Sequence, residues 1–154
     1  MLSDLALRSK GYWGYDPEFL EACRADLTLS EDYLASSRVF VAEDQGKIAG
    51  FYGLETQGSE ATLAFLFVEP EAIGQGFGKR LLQHALELAR TLGCVELLVE
   101  SDPNAERFYE AMGATRIGSV PSTVAPGREL PLMRFSLAAA PLAEVRRGAE
   151  TAAR

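Results

Sequence analysis

The chain has 154 residues, 47% of them apolar, and 22 acidic against 15 basic side chains give a formal net charge of −7. That suits one globular domain with a real core, and an acidic chain without an aromatic-rich basic patch excludes a nucleic-acid binder. No window holds the roughly 18 apolar residues of a membrane helix, and the start, Met1 to Arg8, lacks the basic n-region and apolar core of a signal peptide, which leaves the cytoplasm as the expected compartment.

In chain order, residues 3–10 and 17–28 read as helices. Asp16-Pro17-Glu18 supplies a cap, a proline at the first position and an acid in the first turn, and Phe19, Leu20, Cys23 and Leu27 form the apolar face. Between them Tyr12, Trp13 and Tyr15 share a glycine-bearing loop, which suits a pocket wall or the core. Arg38 to Ala42 and Ile48 to Leu54 read as a hairpin about Asp44-Gln45-Gly46-Lys47. Thr62 to Val68, after the turn Gln57-Gly58-Ser59, is nearly all apolar and reads as a central strand covered on both faces. Gly76 to Leu92 reads as a helix with Phe77, Leu81, Leu82, Ala85, Leu88, Ala89 and Leu92 on one stripe, closed by Gly93. Val95 to Glu100 is the next strand. Asp102 caps a helix over 103–111, closed by Gly113. Thr115 to Val120 and Glu129 to Leu137 pair antiparallel. Residues 138–154 read as a mobile or weakly helical tail outside a 1–137 domain. Cys23 and Cys94 share no metal-type spacing and read as small core residues; no metal is expected.

The strand end Val68-Glu69-Pro70 is followed by Gly74, Gly76 and Gly78 and at once by a helix. Strand, glycine loop and helix start make an anion site: first-turn N–H groups point outward and the helix dipole favours negative charge. Three ligand classes can be compared. A P-loop needs a Gly at 73 and a Ser or Thr at 80, where Ile73 and Arg80 stand. A dinucleotide fingerprint needs a third Gly where Lys79 stands, and although Glu100 lies at a tempting distance, too little chain follows it.

Gln75-Gly76-Phe77-Gly78 before Leu81-Leu82, after a Val-x-Pro strand end, resembles the acyl-CoA loop of the GNAT superfamily of N-acyltransferases. Ile73 departs from the Arg or Gln of that pattern; backbone amides carry most of the phosphate binding in such loops. Asp102-Pro-Asn104-Ala-Glu-Arg-Phe108-Tyr109-Glu-Ala-Met-Gly113 resembles the family's Asn-Ala-x-x-Phe-Tyr-x-x-x-Gly segment, in the right order and spacing. Ser9 to Tyr15 and Pro121 to Met133 resemble one bacterial branch, so the resemblance covers roughly residues 5–137.

The resemblance implies a three-layer α/β (α+β) fold: a central mixed, mostly antiparallel sheet with a splayed parallel strand pair and helices on both faces. The family's first strand has no counterpart here, because helix residues start almost at Met1. It implies an acyl-CoA-dependent N-acyltransferase passing acetyl from acetyl-CoA to a primary amine of a small molecule. The cosubstrate would contact Phe67, Val68, Gln75, Gly76, Phe77, Gly78, Lys79, Asn104 and Phe108. An N–H near Phe67 or Val68 would polarise the thioester, and Tyr109 would protonate the leaving thiolate. Tyr109 can instead be read as a core tyrosine and Asn104 as a helix cap. Leu63 to Phe67 carries no carboxylate, so Glu100 is the candidate general base, with Glu55, Glu69 or a water chain behind it. His84 reads as surface or packing, and Arg128 as a turn arginine or a partner for an acceptor carboxylate. The acidic surface would attract an amine or simply serve solubility, and a homodimer would cover an exposed sheet edge. A non-catalytic acyl-CoA or CoA module is the alternative, and a nicotinamide binder a further one.

Overall fold

The computed structural model describes residues 1–137; the reading of 138–154 as a tail lies outside the described residues. Three short helices come first: α1 (Leu2–Gly11), α2 (Pro17–Cys23) and α3 (Glu31–Ser36). Strands β1 (Arg38–Asp44), β2 (Lys47–Gln57) and β3 (Glu60–Val68) follow, then α4 (Phe77–Thr91), β4 (Glu96–Glu100), α5 (Glu106–Ala111), β5 (Thr115–Pro121) and β6 (Glu129–Ser136). The six-stranded sheet runs β1-β2-β3-β4-β6-β5. Only β3 and β4 pair in parallel; the other neighbours are antiparallel. This is the mixed sheet that the sequence implies. Among the described residues no strand precedes α1, and β1 forms one edge.

Successive residues of a strand face opposite sides, and β2 uses both. Phe51 packs with Leu5, Ala6, Cys23 and Leu27 of the N-terminal helices, whereas Tyr52 packs with Leu81, Leu82 and Ala85 of α4; both aromatics are fully buried. Helices therefore cover both faces. In α4, Phe77, Leu81, Leu82, Ala85 and Ala89 are buried at helical spacing as the stripe predicts; Leu86, outside the stripe, is buried with them, Leu88 is half-buried and Leu92 is exposed. Gly93, at φ +86°, closes the helix: its N–H donates to the Arg90 carbonyl and that of Cys94 to the Ala89 carbonyl, the pairing that a left-handed cap provides.

Two local readings need correction. The helix expected over 17–28 stops at Cys23 and continues as turns, with the Leu27 N–H reaching the Cys23 carbonyl. The segment 103–111 is divided between a 3-10 turn, Pro103–Ala105, and α5. The central strand is also less enclosed than its apolar run suggests. Ala61 and Leu63 are buried, but Ala64 is exposed and Phe65 to Val68 are half-buried.

That loss of cover comes from how β3 and β4 part. Their pairing holds at Glu60↔Glu96, Ala61↔Leu97 and Thr62↔Leu98 and then ends. Against β2, the register steps from Leu54↔Leu63 to Gly53↔Phe65, so Ala64 is an extra residue in β3. Such a bulge bends the strand that carries it. β3 turns away with β2 while β4 stays with β6 through Glu100↔Leu132. The wedge between them is the start of the site.

Candidate active site

A cavity of about 590 Å³ occupies this wedge. β3 contributes Leu66, Phe67 and Val68 to its lining, β4 contributes Val99 and Glu100, and α5 contributes Phe108 and Tyr109. The glycine loop closes one end with Gly74, Gly76, Gly78 and Lys79; Ser9, Lys10 and Trp13, with Ser122, Thr123, Val124 and Arg128, wall the other.

The backbone edge facing the wedge can be read from the β2–β3 ladder. The Glu69 N–H donates to the Ala49 carbonyl, so by alternation the Val68 N–H points away from β2, into the wedge. There it donates to Ser9 Oγ at 3.3 Å. Of the two amides considered from sequence, Val68 is the one on the wedge side, and Phe67 faces β2.

At the other end, Gly76 caps α4 at φ +88° with no side-chain cap, and Gly74 stands at φ +90°. A Cβ at either would meet nothing within 4 Å. The first-turn amides after Gly76 have no intrahelical acceptor and face an open concavity, which is what an anion requires. A Cβ at Gly78 would lie 3.6 Å from Phe108 Cζ and 3.8 Å from Val68 Cγ2, narrowing the passage from the glycine loop to the wedge. Lys79 adds positive charge to the lining. Gln75 and Phe77 do not line the cavity. The Gln75 amide donates to the Glu71 carbonyl at 3.1 Å, and Phe77 is buried against Ala49 and Ala72 with the Arg80 guanidinium 4.5 Å over its ring.

Tyr109 is buried, with its ring edge-on to Phe108 and Phe135. Burial pushes its phenol pKa upward and the Asp102 charge adds to this, so the hydroxyl keeps its proton at neutral pH. Glu100 is exposed at the end of β4. Asn104 does not line the cavity; its amide donates to Tyr15 Oη at 2.9 Å and to Asp102 Oδ1 at 3.0 Å. His84 lies outside the cavity, with Nδ1 2.6 Å from the hydroxyl of Tyr52. Burial pushes the Tyr52 pKa up to about 12.

One cluster escaped the sequence reading. Asp102 Oδ2 accepts from Lys10 Nζ at 2.7 Å, both Asp102 oxygens accept from the Tyr15 hydroxyl at 3.0 and 2.9 Å, and Oδ1 accepts from the Asn104 N–H at 2.8 Å. Burial alone would push the Asp102 carboxyl up. The hydrogen bond from Lys10 and that from the Asn104 backbone outweigh it and hold the pKa below its ordinary value. Arg128 Nη2 donates to Tyr15 Oη at 2.6 Å. The Tyr15 hydroxyl thus uses its one donor and both acceptor sites. The same stretch of α1 also grips β3: Arg8 donates to both Glu69 oxygens at 3.0 and 2.6 Å. Arg8, Ser9 and Lys10 therefore tie α1 to β3 on one side of the wedge and to the β4–α5 junction on the other. The sequence signal was confined to Asp102 as a cap; its partner Lys10 is 92 residues away.

Comparison with known proteins agrees with this geometry. The sequence profile of the acetyltransferase (GNAT) family matches residues 6–114. The 5-NmdU N-acetyltransferase of Pseudomonas phage PaMx11 is 33% identical over 82 residues, 52% of this chain and 59% of that protein. The peptidyl-lysine N-acetyltransferase YjaB of Salmonella typhimurium is 38% identical over 94 residues, 60% of this chain and 61% of that protein. The chain thus spans about six tenths of the length of these relatives. The crystal structure of the PaiA N-acetyltransferase from Thermoplasma acidophilum in complex with coenzyme A superposes with a TM-score of 0.67 at 20% identity, covering 88% of this chain and 90% of that one. At that identity the likeness speaks for the fold.

Proposed function

This chain belongs to the acetyltransferase (GNAT) family, and from that premise we propose that it transfers an acetyl group from acetyl-CoA to a primary amine of a small molecule, with residues 1–137 as the acyltransferase unit. The observation that carries the reading is the joining of an uncapped glycine-led helix start and a splayed strand pair by one cavity with Tyr109 in its wall. The first holds a pyrophosphate and the second leaves amides unpaired for an extended amide-bearing arm. The coenzyme A complex of the related fold and the N-acetyltransferase names of the relatives support acetyl transfer to an amine, while one of those relatives acts on peptidyl-lysine.

Acetyl-CoA would supply an acyl thioester. In the net reaction the amine nitrogen forms a C–N bond to the acyl carbon, the C–S bond breaks, the nitrogen gives up a proton and the sulfur gains one. The amides of Gly76, Phe77, Gly78 and Lys79, with the Lys79 charge, would hold the phosphates. The Val68 N–H, released from Ser9 Oγ, would polarise the acyl oxygen. Glu100, at the rim, would accept the amine proton directly or through water. Tyr109, kept protonated by burial, would give its proton to sulfur and regain one from solvent.

A thermal-shift panel with acetyl-CoA, CoA, NADH and ATP tests the binding half, since a ligand of the folded state must raise the melting temperature. Shifts with acetyl-CoA and CoA alone, together with CoA release in a screen of amines, are expected. A shift with NADH alone would overturn the assignment. The alternative, a CoA-binding module without turnover, is favoured by the lack of a carboxylate in Leu63–Phe67 and by the exposure of Glu100. CoA binding with no release for any amine would select it.

A further inference from the structure

Arg128 lies in the loop between β5 and β6. Its own backbone closes that loop: the Ser122 N–H donates to the Arg128 carbonyl at 2.8 Å and the Arg128 N–H to the Ala125 carbonyl at 3.0 Å. Its guanidinium rests 4.9 Å from the Phe19 ring centre and 5.2 Å from that of Tyr15. The side chain is thus held by backbone closure on one side and by two rings on the other, and only 22% of it is exposed. It also lines the cavity.

The guanidinium has donors to spare where it stands. Nη2 meets Tyr15 Oη, while the nearest carboxylate oxygen, Asp102 Oδ2, is 3.7 Å away, beyond a hydrogen bond. Among the described residues Nε and Nη1 have no hydrogen-bond partner. Asp102 is occupied by Lys10, Tyr15 and Asn104. Two cations, Lys10 and Arg128, therefore share the half-buried Asp102 carboxylate. The other carboxylates of the lining, Asp26 and Glu100, are exposed, and Asp26 accepts from the Thr123 hydroxyl at 2.8 Å. Nη2 carries two N–H bonds and Tyr15 takes one, so the other, with the parallel N–H of Nε or of Nη1, still offers a half-buried fork that recognises an oxyacid anion in bidentate fashion.

We propose that the acceptor amine itself carries an oxyacid anion, a carboxylate or a phosphate, and that Arg128 holds it with Lys10 reinforcing the charge. This rests on the acetyl-transfer reading for its chemistry. The amine of the same molecule then addresses Glu100 and Tyr109, which line the same cavity. An amine without such an anion forgoes that pairing and leaves the fork to water.

The test uses the full chain and matched amines: amino acids against their carboxamides, amino-sugar phosphates against the free amino sugars, and a simple diamine. Calorimetric binding to the protein alone and kcat/KM from CoA release are both read. The anionic member of a pair should bind and react at least roughly tenfold better than its neutral counterpart, and whichever pair shows this identifies the oxyacid. Arg128→Met should erase that preference by lowering kcat/KM for the anionic member far more than for its neutral counterpart, and Arg128→Lys should keep part of it. Equal use of acids and amides, a preference for the diamine, or an Arg128→Met loss that is the same for both members overturns the proposal. Anion-selective binding without CoA release would sustain this site and sink the transfer reading instead.

Discussion

Burial pushes the acidic groups of Tyr109 and Asp102 in the same direction, but only Asp102 has partners that reverse it. Tyr109 is left as a protonated phenol in an apolar wall. Tyr109→Phe keeps the ring and removes the proton. Turnover is expected to fall by about 10²- to 10⁴-fold with the CoA-induced thermal shift intact; a variant that binds and reacts normally would leave the leaving thiolate to water. For Asp102 the folded pKa lies below the usual 3.8. Its ion pair therefore stabilises the fold fully above about pH 4, and that contribution fades as pH falls through the lower folded value. Urea midpoints between pH 7 and pH 3 should drop less steeply for Asp102→Asn than for the parent chain, although the variant starts lower. Tyr109 stood out in the sequence because its motif is local. Lys10, Tyr15 and Asp102 did not, because a polar cluster assembled across 87 and 92 residues leaves no spacing to read.

The best-legible element was the one whose periodicity is enforced by burial on one face, α4. Where the apolar pattern and the backbone disagree, reading from sequence failed. Leu27 is buried like a helical residue, yet it sits in a succession of turns after Cys23. Helix α3 buries none of its residues, so it has no stripe; Ser30, which caps it by accepting from the Tyr33 N–H, was its one available signal. The β3 bulge was equally hidden, since Ala64 differs from its neighbours only in size. The glycine loop allows a contrast within one element. Gly76→Ala places a side chain at φ +88° and should cost about 1–2 kcal/mol of stability as well as CoA affinity. Gly78→Ala has room; it should leave the urea midpoint close to that of the parent while weakening CoA in a titration. Equal destabilisation by both would mean that the loop serves the fold rather than a ligand.

Across the whole molecule, the sheet is held between two helical layers, and at Gly50 β2 lies close to both its neighbour β3 and α4. A Cβ there would stand 2.7 Å from the Phe67 carbonyl oxygen and 3.0 Å from Leu81 Cδ1. Neither α4 nor β3 can yield without disturbing the other, so Gly50→Ala should lower stability by about 1–3 kcal/mol, seen as a lower denaturant midpoint at unchanged slope. Because β3 also carries the Val68 amide, saturating CoA should recover part of that loss by linkage. A midpoint equal to the parent's would show that the layers have slack.

The two tethers of α1 differ in their shelter from water. The Arg8 side chain is 52% exposed in its pair with Glu69, whereas Lys10 and Asp102 are each 14% exposed. Mobile ions weaken the first far more than the second, the Debye length being about 3 Å in molar salt. At high ionic strength the Arg8 tie should loosen first, with amide hydrogen exchange quickening at Val68, next to Glu69, while Leu5 and Ala6, buried against Phe51, keep α1 on the sheet.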